Sequence, residues 1–278
     1  MKIFRLLFPV LLGMSCSNKN EAQNDVIDAS GRPYFTYNAS KNQYILKPWN
    51  YDLTQNQNNK YPLVIFLHGS GGSGNVSYLN YLGYDNPDDT ITDQMALNFQ
   101  KNYSCFVLVP QTSSSWDNNS LIRQVEDFKK DYRIDETRIY LIGYSMGGSG
   151  SYSFANAYYD YNGQLFAGII RLAGQSQTSM RNAIAEKTAI WLHIGLDDTE
   201  QRVTVTREAY QFLKDYHPTA KETTSAVALS GYSGTTYTLT INNDDRFKRT
   251  EYNGVGHGIS VFPFQDPYLM KWLFQHKL

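Results

Sequence analysis

Short apolar runs alternate with amphipathic stretches along most of the chain. Tyr61–Leu67, Cys105–Val109, Ile139–Ile142, Leu165–Leu172 and Thr188–Ile194 are nearly continuous in apolar character. Such runs fit strands covered on both faces, as in a parallel sheet. Between them, Leu121, Val125, Phe128 and Tyr132 fall on one helical face. Val205, Ala209, Phe212 and Tyr216 mark another helix, which stops before Pro218. Ile91–Tyr103 and Met180–Lys187 read as further helices, and Asp266-Pro267 caps and opens a last one carrying Leu269, Trp272 and Leu273. Looser alternation over Pro33–Pro48 predicts one or two antiparallel edge strands turning at Asn38–Asn42. Thr236–Ile241 and Arg246–Tyr252 are two more strand-like runs, joined by Asn242–Asp245. Asn50–Lys60 and Asn75–Thr90 are polar loops, and a loop as long as the second is often functional. Strands alternating with helices imply an α/β fold: a mostly parallel central sheet flanked by helices on both faces. No repeat or composition break divides residues 33–278, so one domain is expected.

The apolar run at Ile139 ends in Gly143-Tyr144-Ser145-Met146-Gly147, after which small and aromatic residues recur at helical spacing. A G-x-S-x-G between a strand and a helix is the setting of a nucleophile elbow. A serine on so sharp a turn is strained, and side chains two residues to either side would clash with it. The turn exposes Oγ beside the free N–H groups that open a helix, where negative charge is stabilised.

In such a sheet, sites form beyond the carboxyl ends of the strands. Four strand ends carry chemistry: His68-Gly69-Ser70, Ser145, Asp197-Asp198 and Gly254-Val255-Gly256-His257. Their order is Ser, Asp, His. A serine hydroxyl needs a base to take its proton, and the imidazole of His257 is the candidate. Either Asp197 or Asp198 can hold the ring in the correct tautomer. The oxyanion needs two N–H donors, expected from Met146 and from Ser70 in the glycine-rich turn. No Gly-Lys-Ser/Thr follows that turn, which argues against a phosphate loop. The five histidines lack close metal-ligand spacing, so neither metal nor cofactor is expected. Arg171, inside an apolar run, either pairs with a carboxylate or points to the sheet edge. His193 reads as a core residue.

The chain begins with Lys2 and Arg5, then a short apolar stretch, then Gly13-Met14-Ser15-Cys16. That is the layout of a secretory signal, too short to span a membrane permanently. The cysteine after small residues resembles a bacterial lipobox, which implies a lipid on Cys16, a signal over 1–16 and a flexible tether over 17–32. The expected location is the cell envelope, with membrane contact through that lipid alone. Cys105, in an apolar run, reads as a buried small hydrophobe. The net charge of -1 gives no reason to expect nucleic acid. The 22 tyrosines suit either a wet, apolar-faced groove or an ordinary surface.

The segments Pro62–Gly72, Val107–Gln111, Asp135–Tyr140, Gly143–Gly148, Gly195–Asp198 and Tyr252–Gly258 together resemble the α/β-hydrolase carboxylesterases of the dienelactone-hydrolase and phospholipase/carboxylesterase type. They look most like bacterial esterases of the feruloyl and acetyl-xylan kind. The resemblance implies a serine esterase in which Asp198 is the triad acid. It departs from the family in having Ile194 where a histidine normally stands, and in a long stretch from Thr223 to Asp245. His68, Gly69, Gln111, Trp116 and Tyr144 are candidates for the substrate pocket. The implied partner is an ester, with an ester on plant polysaccharide as one candidate. A prolyl-oligopeptidase-like peptidase is the rival within the class, and a non-catalytic carbohydrate-binding lipoprotein the rival outside it.

Overall fold

The computed structural model describes residues 35–71, 98–176, 180–227, 229, 231–260 and 262–278. Cys16, the expected signal and tether, the expected Asn75–Thr90 loop and most of the expected Ile91–Tyr103 helix lie outside the described residues. Of that helix, Asn98–Asn102 is a helical turn with the wide π spacing.

Ten strands form one sheet in the order β1-β2-β4-β3-β5-β6-β7-β10-β9-β8. They are β1 (Phe35–Asn38), β2 (Gln43–Leu46), β3 (Tyr61–Leu67), β4 (Phe106–Pro110), β5 (Ile134–Tyr144), β6 (Gly168–Leu172), β7 (Ala189–Gly195), β8 (Lys221–Ala226), β9 (Ser233–Ile241) and β10 (Asp244–Asn253). The central strands β4, β3, β5, β6, β7 and β10 pair in parallel. An antiparallel pair extends each side: β1 and β2 beyond β4, β9 and β8 beyond β10. The long stretch after Thr223 carries most of the antiparallel β8–β9 pair. The edge strand β8 is exposed throughout and lacks the apolar run that marked the central strands.

The helices are α1 (Asn118–Asp131), α2 (Met146–Asn162), α3 (Asn182–Lys187), α4 (Glu200–Tyr216) and α5 (Pro267–Gln275). Strand period two decides which helix meets which residue. Leu63, Ile65 and Leu67 pack with Val125 and Phe128 of α1, Phe154 of α2 and Leu213 of α4. Val64 and Phe66 belong to the opposite face, with Leu269, Trp272 and Leu273 of α5. Each such buried side chain contributes roughly 1.5–3 kcal/mol by leaving water, so the period that predicted the strands also fixes the two layers. Asp117 and Asp266 cap α1 and α5, accepting from Ser120 N–H and Tyr268 N–H. Among the described residues, Tyr140, Tyr158, Tyr210 and Tyr252 are among the largest fully buried side chains, while Tyr37, Tyr161 and Tyr268 are exposed.

Candidate active site

Ser145 sits between the last residue of β5 and the first of α2, at φ 55°, ψ -112°. Left-handed backbone is costly for a side-chain-bearing residue and persists where its surroundings over-determine it. Two glycines make the turn possible. A Cβ on Gly143 would stand 2.2 Å from the Gly147 carbonyl oxygen, and one on Gly147 1.9 Å from the carbonyl oxygen of Leu67 in β3. Ser145 N–H donates to Leu172 O at 2.8 Å, which fastens the turn to the end of β6. The residue occupies the N-cap position of α2, yet its hydroxyl makes no capping bond. Ser145 Oγ lies 2.8 Å from His257 Nε2 instead.

His257 Nδ1 in turn lies 2.7 Å from Asp198 Oδ2. The Asp198 side chain is 2% exposed. Its other oxygen, Oδ1, accepts from Thr199 N–H at 2.7 Å and from Arg202 Nη1 at 3.0 Å. Burial pushes the Asp198 carboxyl up; the hydrogen bonds from His257, Thr199 N–H and Arg202 outweigh it and hold the carboxyl below its ordinary value. An ionised carboxylate only accepts, so Nδ1 carries the ring proton. In the neutral ring Nε2 then has a free lone pair facing Ser145 O–H. Asp197, the adjacent candidate, is exposed, and its N–H donates to Val255 O at 2.9 Å. The geometry thus separates two aspartates that the residues alone left equivalent.

The turn after β3 lies against the serine: a Cβ on Gly69 would stand 3.2 Å from Ser145 Cβ and 3.1 Å from the Tyr144 ring. Ser70 follows in that turn and is exposed. Met146 opens α2, so its N–H is one of the free donors of a helix start.

Three residues read as pocket lining are tied into the framework of the site. His68 is fully buried, and burial pushes its ring below the ordinary imidazole value. Its neutral ring donates from Nδ1 to Gly69 O at 2.8 Å and accepts at Nε2 from Thr112 N–H at 3.3 Å, joining the loops after β3 and β4. Buried Gln111 spends its amide on Pro110 O at 3.1 Å. Tyr144 donates to His257 O at 3.0 Å and stacks on the imidazole at 5.3 Å between centroids, so it holds the histidine loop. Trp116, half-buried, donates to His68 O at 3.3 Å and packs its ring where a Cβ on Gly150 would fall.

Arg171 takes neither expected course. It is buried; Nε donates to Gly148 O at 3.0 Å, Nη2 donates to Ser176 O, and its guanidinium lies over the Tyr152 ring. It therefore ties α2 to the loop leaving β6. His193 is a core residue as read, stacked on Trp191, with Nδ1 3.0 Å from the Tyr252 hydroxyl. Among the described residues no cluster of His, Cys, Asp or Glu is arranged to hold a metal. Arg202 and Gln175, both in the network around Asp198, were not anticipated. The arginine carried one visible signal, its position four residues after the acid.

No family model matches the sequence, and no curated protein does either. Solved structures do. A thermostable esterase superposes with a TM-score of 0.57 at 21% identity over 88% of this chain, which spans only 62% of that enzyme's length. Acetyl xylan esterase from Aspergillus awamori gives 0.55 at 19% identity, covering 87% of this chain and 98% of the other. A ferulic acid esterase gives 0.54 at 13%, covering 87% and 95%. With a parallel sheet core, helices on both faces and a strand–serine–helix turn at its carboxyl edge, the chain has the α/β-hydrolase fold.

Proposed function

We propose that this protein is a serine carboxylic-ester hydrolase in which Ser145, His257 and Asp198 act as a triad. The observation that carries the reading is the unbroken chain of hydrogen bonds: 2.8 Å from Ser145 Oγ to His257 Nε2 and 2.7 Å from Nδ1 to a buried Asp198. In acylation, Ser145 Oγ attacks the ester carbonyl carbon while His257 Nε2 takes the hydroxyl proton. Asp198 offsets the imidazolium charge and keeps the ring oriented, without itself taking the proton. The oxyanion lies between Met146 N–H and Ser70 N–H. Collapse breaks the bond to the alcohol, which leaves with the proton from Nε2. Water then attacks the acyl-enzyme, His257 takes its proton, and the carboxylic acid is released as Ser145 recovers its own.

The substrate reading is an acetyl or feruloyl ester on plant polysaccharide. It is supported by the likeness to an acetyl xylan esterase and a ferulic acid esterase. The N-terminal charge, apolar run and Cys16 support export and lipid anchoring at the bacterial cell envelope. The test is a hydrolysis screen of protein lacking residues 1–16 on p-nitrophenyl acetate, longer acyl esters, methyl ferulate and acetylated xylan. Turnover of acetylated xylan or methyl ferulate above that of long-chain esters is expected. Turnover of long-chain esters alone would overturn the substrate reading, and no turnover of any ester would overturn the activity.

A further inference from the structure

We propose that Arg202 is a positioning residue of this reaction, fixing the triad acid relative to the helix that starts at the nucleophile. The inference rests on the serine-hydrolase reading above. Arg202 stands in the first turn of α4. A cation there is opposed by the positive end of the helix dipole, so the helix itself gains nothing from it. Its guanidinium faces two loops. Nη1 donates to Asp198 Oδ1 at 3.0 Å, and Nη2 donates to Gln175 Oε1 at 2.9 Å, in the loop leaving β6. Gln175 N–H donates to Ser149 Oγ at 2.9 Å, and Ser149 N–H donates to Ser145 O at 2.9 Å.

These contacts close a ring. Starting at Ser145, hydrogen bonds run through His257, Asp198, Arg202, Gln175 and Ser149 and return to Ser145. The ring joins three strand ends, those of β5, β6 and β7, to the histidine loop. Thr199 N–H also holds Oδ1, at 2.7 Å, but it belongs to the same loop as Asp198 and moves with it. Arg202 supplies the tie to a different part of the fold. A planar guanidinium presents two donors at a fixed angle, which a lysine ammonium cannot reproduce. The two carboxylate oxygens are thereby held from two directions, and Oδ2 stays aimed at His257 Nδ1. Arg202 acts through Asp198.

The experiment compares wild type, Arg202→Met, Arg202→Lys, Gln175→Ala and the Arg202→Met/Gln175→Ala double variant, using p-nitrophenyl acetate kinetics and the rate of fluorophosphonate labelling. The low-field proton resonance of the His257–Asp198 hydrogen bond is recorded for each. Arg202→Met should lower kcat on the order of 10–100-fold, the cost of a modestly misplaced catalytic group, with KM within about twofold. Labelling should slow in proportion, and the low-field resonance should shift or broaden. Arg202→Lys should fall between the two, and Gln175→Ala should lower kcat in the same direction. The double variant should be no worse than Arg202→Met, because both break one tie. Wild-type kcat and an unmoved resonance in Arg202→Met would overturn the inference, as would a lowered melting temperature with kcat intact. Should Arg202→Met fail to fold, unchanged kcat in both Arg202→Lys and Gln175→Ala overturns it equally. If wild type hydrolyses no ester, the serine-hydrolase reading fails instead, and the resonance alone still reports whether Arg202 orients Asp198.

Discussion

Gly195 and Val255 touch backbone to backbone: a Cβ on Gly195 would stand 2.2 Å from the Val255 carbonyl oxygen. That contact brings the loop after β7, which carries Asp198, against the loop after β10, which carries His257. Two bonds reinforce it, from Leu196 N–H to Tyr252 O and from Asp197 N–H to Val255 O, both 2.9 Å. Gly195→Ala must force the two loops apart, since backbone atoms cannot yield as a side chain does. It should cost about 1–3 kcal/mol of stability, the usual range for overpacking, and lower kcat by at least about tenfold through the widened acid–histidine pair. Urea unfolding and p-nitrophenyl acetate kinetics check both; wild-type values in both would show that the loops do not depend on this contact.

Asp198→Asn should lower kcat by roughly four orders of magnitude, as when a triad acid is lost and the wrong tautomer is held. Asp197→Asn should cost about tenfold or less, because that side chain is exposed and only its backbone is engaged. Circular dichroism confirms folding of each variant. The reverse ranking would mean that the other carboxylate serves His257.

The same carboxylate predicts a pH dependence of stability. Its folded value is held below the ordinary 3.8, so its contribution is present above that value and is lost as pH falls through the lower, folded one. Between about pH 5 and 2, Asp198→Asn should lose less melting temperature than wild type. Parallel curves for the two proteins would show that Asp198 is not linked to folding.

Much of this was legible in the chain. β3 spans the same residues, Tyr61–Leu67, as its apolar run, because a strand covered on both faces has no polar position to confuse the reading. β5 begins at Ile134, ahead of the apolar run at Ile139, since Asp135, Glu136 and Arg138 occupy its polar first half. β8 was invisible because its side chains, Lys-Glu-Thr-Thr-Ser-Ala, are all exposed and its identity lies in backbone pairing with β9. At the site, Ser145 and His257 declared themselves through glycine-rich turns at strand ends. Between the adjacent aspartates, the residues alone left the choice open and the Gly195-to-Asp198 spacing of the resemblance favoured Asp198; the backbone bonds of Leu196 to Tyr252 and of Asp197 to Val255, which bring the two strand ends together, are long-range and left no mark in either segment. The framework roles of His68, Gln111 and Tyr144 were hidden for a related reason: a strand-end position brings a residue near the site, and burial decides whether it faces substrate.

The N-terminal reading predicts that Cys16 carries a lipid. Mass spectrometry of the N-terminal peptide from membrane-extracted protein should show acyl chains on Cys16. A free thiol there, or a mature chain starting elsewhere, would contradict the anchor while leaving the hydrolase untouched.

The central claim is that Ser145 is the nucleophile, and kcat of Ser145→Ala on p-nitrophenyl acetate tests it most directly. Removing the nucleophile of a serine triad costs up to about 10⁶-fold, so the folded alanine variant should fall at least about 10³-fold below wild type. A folded Ser145→Ala variant that hydrolyses the ester at the wild-type rate would contradict it.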